Sequence, residues 1–305
     1  MRITFGMMTG NAVSNLMTTS ARLVEAQNQV TSGKRISKPS DDVSGTGLAL
    51  NLRESVSALK QYQRNGNTAS SQLKVAGSYL DNIVSSIQSV RQLTLQAANS
   101  TLTAEARANI AFQLDQINET LVSTANAQYN GKYIFAGSKS DAPPITANTI
   151  PNSIPYVYNG DSTDFNIQIA PWASVTTNIN GNKIFNMGGM SITGTSDLFD
   201  TIKQLRSDIV SGDVHAISQK VTDITSHLNN VTALRSQAGA KLNRVESTGN
   251  MVLDSQNVFE DLLSKTEDVD LAQAVINLQT RQNVYQAAIS ATGKILALSL
   301  TDYMK

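Results

Sequence analysis

The residue types that most often perform catalysis or hold a metal ion are scarce in this sequence. Its 305 residues include two histidines, His215 and His227, and no cysteine. The histidines are about 12 residues apart on one predicted helix, which separates them by roughly 18 Å. They therefore cannot share a metal ion within one chain, and there is no cysteine to act as a nucleophile or a thiolate ligand. We expect both histidines to lie on the helix surface.

Paired carboxylates and glycine-rich segments are the remaining candidates for chemistry. Asp41-Asp42 and Glu267-Asp268 could form a general acid–base pair, but carboxylates at such positions are more typical of helix starts. Gly33-Lys34 lacks the earlier glycine of a phosphate-binding loop, and Gly45-Thr46-Gly47 follows a predicted loop rather than a strand. The sequence therefore predicts no catalytic residues, no cofactor site and no metal site.

Composition limits the partners that we expect. Lysine and arginine together number 24, as do aspartate and glutamate, so the formal charge is zero. A neutral chain gives no reason to expect nucleic acid or an anionic membrane surface as partner. No apolar run approaches the ~18 residues that a membrane span requires. Residues Met1 to Val30 also lack the continuous apolar core of a secretory signal peptide.

Two long stretches repeat apolar residues every three or four positions, which predicts long helices. One runs from Asp42 to about Asn99, with a possible break at the turn-like triplet Asn65-Gly66-Asn67. The other runs from Val214 to Phe259 and would span on the order of 70 Å as a straight helix. We expect a mainly α fold in which long antiparallel helices form a coiled-coil-like rod.

Local signals suggest where these helices start and stop. Ser40 is a candidate N-cap for the first long helix, with Asp41 and Asp42 in its first turn. A further helix is predicted from Thr103 to Gln128, ending before Asn130-Gly131. The helical rod is therefore assigned to residues 42–130 and 196–265.

The period changes to two between Lys132 and Met190, which predicts a small β-rich insertion over residues 131–195 at one end of the rod. Asn159-Gly160 and Asn180-Gly181 each stand between alternating segments and predict hairpin turns. An enzyme with its active site in this insertion is a rival hypothesis. The insertion contains no histidine, cysteine or clustered acidic residues, so the sequence does not favour it.

The terminal segments, 1–41 and 266–305, carry helical apolar stripes broken by polar residues. Short amphipathic helices with polar seam positions are marginal alone in water, so each needs the other or another copy of the protein. We therefore predict that these segments are disordered until assembly and that their stripes contact neighbouring subunits. The predicted assembly residues are Val13, Leu16, Leu23, Val30, Leu271, Val275, Leu278, Tyr285, Ile289 and Leu296.

Several segments resemble bacterial flagellins. The loop from Thr31 to Asp42 is similar to the one after the first flagellin helix, and Arg64-Asn65-Gly66-Asn67 is similar to a later segment. Glu267-Asp268-Val269-Asp270 and the helix through Gln286-Ala287-Ala288 resemble the C-terminal flagellin signature. The resemblance covers roughly the first 130 and the last 70 residues in the same order.

Three features resemble the hook-associated branch of this superfamily, which joins the flagellar hook to the filament, more than bulk flagellin. They are the start Met1-Arg2-Ile3-Thr4, the segment Gly131–Gly137 followed by Pro143-Pro144, and the ending Leu300–Met304. A short flagellin that forms the bulk of the filament is the alternative.

The resemblance implies a structural, non-enzymatic subunit that is exported unfolded through the flagellar type III apparatus. It implies a cytoplasmic stage before export and an extracellular place at the hook–filament junction. The implied partners are other copies of the chain, a neighbouring hook-associated protein, flagellin and a cytoplasmic export chaperone.

Overall fold

The computed structural model describes residues 5–148, 154–187 and 196–303, with side chains described from residue 6 up to residue 294. In these ranges helices dominate, and the predicted mainly α class, with long antiparallel helices and a small strand-containing insertion, is confirmed. The helices are α1 (Phe5–Ser32), α2 (Val43–Ala97), α3 (Ala104–Ala125), α4 (Gly181–Phe185), α5 (Leu198–Ser211), α6 (Val214–Glu267) and α7 (Leu271–Tyr303). The chain divides into two compact units.

The first unit comprises Met1–Ala58 and Asp254–Lys305. Helix α1 packs along α7, and the first part of α2 lies in the same unit as the last part of α6. Its core is thin because few apolar side chains are fully covered. Among the side chains that the structure describes in this unit, the buried apolar ones are Ala26, Ile36, Ala49, Leu52, Val56 and Ala274.

The second unit, Leu59–Leu253, contains the larger core. Ion pairs between Lys74 and Glu246, at 3.0 Å, and between Asp81 and Arg235 show that α2 and α6 run antiparallel. The seam between α2 and α6 is formed by apolar residues, as in coiled coils. These residues recur every three or four positions on α2 and every seventh position on α6. On α6 the buried series is Ile217, Ile224, Val231, Ala238, Val245 and Val252.

Helix α2 is continuous through Asn65-Gly66-Asn67, so the predicted break is absent. Leu59 and Ala69 on either side of the triplet are buried, and this packing outweighs the weak local turn preference. The Asn65 amide nitrogen also donates a hydrogen bond to the Gln168 carbonyl, at 2.8 Å. Tertiary contacts therefore hold a turn-like sequence in a helix.

The described residues in and just before the insertion form three antiparallel strand pairs. These are β1 (Gln128–Tyr129) with β2 (Lys132–Tyr133), β3 (Ile145–Ala147) with β4 (Tyr156–Tyr158), and β5 (Asn166–Ala170) with β6 (Ala173–Thr176). The β1–β2 turn is Asn130-Gly131, where both residues have positive φ, at 52° and 75°. That backbone suits the two-residue hairpin turns that Asn-Gly favours. Helix α3 ends at Ala125, three residues before the predicted end at Gln128.

Both predicted hairpin turns are wrong. Asn159-Gly160 does not connect β4 to β5, because β4 pairs with the earlier strand β3. Asn180-Gly181 starts helix α4, and β6 pairs with β5 instead. Gly181 donates its amide hydrogen to the Phe135 carbonyl at 2.9 Å, so a long-range contact fixes the conformation there.

Aromatic side chains close the core of this region. The Phe199 ring lies 5.1 Å, between centroids, from both Tyr156 and Phe185. Phe185 and Phe199 are fully buried. Tilted pairs at this separation stabilise a core beyond the area that they bury.

Candidate assembly surface on the terminal helices

The structure places the predicted assembly residues on α1 and α7, which pack together. That pairing covers only part of the stripes. Leu16, Leu23, Val30, Leu278 and Tyr285 are partly buried. The remaining described members are exposed, and Leu296 lies outside the described side chains. The exposed members are Val13, Leu271, Val275 and Ile289.

A second set of apolar side chains on the same helices is also exposed, and the stripes in the sequence did not include them. Met17 and Val24 are seven residues apart and one helical face therefore carries both. Scattered exposed apolar residues are normal, but a row along a paired helix marks a potential interaction surface. The exposed additions are Met7, Met8, Met17, Val24, Ile276 and Val284.

Short backbone pairing joins the loop after α1 to the linker before α7. The Arg35 amide donates to the Glu267 carbonyl at 2.7 Å, and the Val269 amide donates to the Gly33 carbonyl at 3.0 Å. Gly33 has φ 68°, a left-handed conformation that glycine adopts without a steric penalty. These bonds fix the ends of the two terminal helices next to each other.

A buried carboxylate lies at the same place. Glu267 ends α6, and its side chain is 3% exposed. It forms ion pairs with Lys34 and with Arg53, the latter at 2.5 Å. Burial of the carboxyl acts to raise its pKa, but the hydrogen bonds and charges of Lys34 and Arg53 outweigh burial and lower the pKa. We call Lys34, Arg53 and Glu267 the Glu267 ion cluster.

The predicted roles of neighbouring acidic residues need correction. Glu267 does not start a helix; Asp270 starts α7 by accepting the Ala272 amide hydrogen at 2.9 Å. Asp42, rather than Ser40, caps α2 by accepting the Gly45 amide hydrogen at 2.8 Å. That backbone hydrogen bond is the main cause of the lowered Asp42 pKa.

The histidines also differ from each other. His215 is exposed, as predicted, whereas His227 is fully buried, so the surface prediction is wrong for it. Its Nε2 lies 3.4 Å from the Thr201 hydroxyl. Burial lowers the pKa of His227 to about 4 against a weaker opposing effect of Asp223. The side chain therefore packs as a neutral core residue.

The described residues provide neither a metal site nor a membrane-spanning helix. Within them no group of three or more histidine or carboxylate side chains could hold a metal ion. In the same ranges, no helix has the length and hydropathy needed to cross a bilayer.

Sequence profiles match both ends of the chain. The bacterial flagellin N-terminal helical region matches residues 3–140, and the flagellin C-terminal helical region matches residues 221–304. The chain belongs to the bacterial flagellin family. The family resemblance inferred from the loop after α1 and from the Glu267–Asp270 segment is thereby confirmed.

This flagellin-family chain is similar to proteins of two kinds. Flagellar hook-associated protein 3 of Escherichia coli is 24% identical and covers 100% of both chains. A flagellar filament 33 kDa core protein of Treponema phagedenis is 24% identical over 88% of this chain and 90% of its own. The crystal structure of the flagellar junction protein of Legionella pneumophila has a TM-score of 0.60 at 18% identity, covering 74% of this chain and 100% of that one, and shows a shared fold.

Proposed function

We propose that this chain is a structural, non-enzymatic subunit of the bacterial flagellar axis that joins the hook to the filament. The similarity to a hook-associated protein over the full length of both chains supports this role. The fold shared with a protein described as a flagellar junction protein is compatible with it. The observation that carries the proposal is the row of apolar side chains on α1 and α7 that their mutual pairing leaves exposed.

The terminal segments, 1–41 and 266–305, are proposed to fold fully only when subunits assemble. Exposed residues such as Val275 and Ile289 would then be covered by other copies, by flagellin or by a neighbouring hook-associated protein. Before export, a cytoplasmic chaperone would cover the C-terminal stripe. In this proposal residues 42–130 and 196–265 form the helical rod, and residues 131–195 form an insertion that faces outward.

Substitution of one exposed stripe residue tests the assembly surface. Val275→Asp places a charge on the row, and we expect loss of incorporation into flagella because an unpaired charge at a covered interface is costly. The matched control is Asn277→Asp, which adds the same charge two residues on, about 200° around the helix. Normal incorporation of Val275→Asp, with the protein secreted at the usual level, would contradict the proposed surface.

A short flagellin that builds the filament is the second candidate, supported by the similarity to the filament core protein of Treponema phagedenis. Copy number in sheared, purified flagella separates the two roles. A minor component at the hook-proximal end supports the junction, whereas the major protein band would identify a filament subunit.

A further inference from the structure

A small polar cavity lies in the second unit, apart from the terminal helices. It has a volume of about 80 Å³ and is formed by the segment before β5, the start of α4 and the middle of α6. A water molecule needs roughly 10–15 Å³ on this measure, so the space accommodates a group of several heavy atoms. The polar side chains that line it are Asp164, Asn178, Asn180, Lys183, Gln237 and Lys241.

Positive charge is in excess around this cavity. Lys183 and Lys241 both line it, and Asp164 is the one carboxylate among its lining residues. Among the described residues neither lysine forms an ion pair with a carboxylate. Burial lowers the pKa of Lys241; the charge of Asp164 opposes this effect, and a weaker repulsion by the charge of Lys183 adds to it. The two ammonium groups are therefore near enough to repel each other.

Two asparagine side chains, of which Asn180 is buried, hold the carboxylate in place. Asn180 is 2% exposed. Its side-chain oxygen accepts a hydrogen bond from the Asn178 amide at 2.9 Å, and its own amide donates to Asp164 Oδ1 at 3.3 Å. A second bond from Asn178 to the Thr163 carbonyl, at 2.7 Å, fixes this chain of amides to the backbone. An amide thus holds Asp164, whose single negative charge can balance only one of the two lysines, so the second positive charge remains for another acceptor.

We propose that this cavity binds a small oxyanion, a phosphate or a carboxylate, between the ammonium groups of Lys183 and Lys241. Each ammonium offers up to three hydrogen-bond donors and no acceptor, which matches an oxygen anion. The bound anion would offset the repulsion between the lysines. Because α4 and α6 supply one lysine each, binding would link the insertion to the long helix. This site is independent of the proposed role of the terminal helices.

Thermal unfolding of the full chain in rising concentrations of inorganic phosphate tests the site, with ionic strength held constant by chloride. A ligand that binds only the folded state leaves Tm unchanged well below its Kd and raises Tm with the logarithm of its concentration above the Kd. At a tenfold excess over the Kd we expect a rise of about 3 °C. A parallel titration with acetate distinguishes a phosphate site from one that takes a carboxylate, and a logarithmic rise of Tm with either anion supports the proposal.

Three variants separate the cavity from general ionic effects. Lys183→Met and Lys241→Met keep the aliphatic part of the side chain while removing the charge, and each should reduce the phosphate response at least tenfold in apparent affinity. The matched control, Lys139→Met, removes an exposed lysine elsewhere in the insertion and should leave the response unchanged. No rise of Tm with phosphate or acetate at constant ionic strength, or a full response in the double variant Lys183→Met/Lys241→Met, would overturn the proposal. Far-UV circular dichroism verifies that each variant is folded.

Discussion

Arg53 on α2 and Glu267 at the end of α6 form an ion pair of 2.5 Å around a carboxylate that is almost completely buried. Lys34, from the loop after α1, contacts the same carboxylate. One acidic side chain therefore ties together three segments that are far apart in sequence. Both cations remain about half exposed, at 44% and 48%, so water screens part of the attraction.

Glu267→Gln should destabilise the first unit by about 1–3 kcal/mol. Loss of one partner from a fully buried ion pair costs about 3–5 kcal/mol, and the exposure of both cations reduces that figure here. Hydrogen exchange at the Arg35 and Val269 amides measures the effect locally. Asp261→Asn is the control, since it breaks the exposed pair with Lys265, at 2.7 Å, and should change little. Equal protection in the wild type and Glu267→Gln would count against the ion cluster as an anchor.

Acidification should weaken the second unit through His227. Its pKa is about 4 in the folded state, against about 6.5 when unfolded, so the unfolded chain binds the proton first. Stability is therefore full above pH 6.5 and falls as the pH drops toward 4, by about 2 kcal/mol between pH 7 and 5. Glu267, whose pKa is lowered in the folded state, adds little in this interval, because its carboxyl in the unfolded chain takes up a proton mainly near and below its ordinary pKa of 4.5.

Unfolding by urea at several pH values measures the His227 effect. His227→Gln retains a polar group beside Thr201 but cannot titrate, so its stability should vary less between pH 7 and 5. His215→Gln, at the exposed histidine, should keep the wild-type pH dependence. An unchanged slope in His227→Gln would show that another group titrates.

Phe199→Ala should cost about 3–5 kcal/mol, because it leaves a cavity between Tyr156 and Phe185 in a core that has few other aromatic residues. Phe112→Ala removes the same side chain from a position that is 65% exposed, and should stay within about 0.5 kcal/mol. The urea midpoint of each variant gives the comparison. Similar losses in both would mean that Phe112 is covered in solution.

The helices were predictable because their apolar pattern extends over many turns. Ile217 to Val252 repeats every seventh residue, and such a long series overrides local exceptions such as Gly249. Strand pairing was not predictable in the same way. An Asn-Gly pair indicates a turn, but contacts far away in sequence, such as that between Gly181 and Phe135, decide whether a hairpin or a helix forms there.

Only part of the candidate assembly surface could be predicted from the sequence. The apolar stripes on α1 and α7 follow from periodicity. The exposed Met17 and Val24 lie beside the predicted stripe on α1, and only the packed structure shows which face of the helix remains uncovered. Glu267 was assigned to a helix start because acidic pairs are common there. Its actual partners, Lys34 and Arg53, come from distant segments that no local pattern connects to it.

Because buried residues recur every seven positions on α6, the apolar seam alone would allow more than one alignment of α6 with α2, and the charged side chains select one of them. Sliding α6 along α2 by one heptad would bring apolar residues opposite apolar residues again. Lys74 would then face Gly239 or Leu253 instead of Glu246, and Asp81 would face Leu228 or Leu242 instead of Arg235. Exposed ion pairs add little stability, yet here they penalise the two shifted alignments that the seam alone would accept.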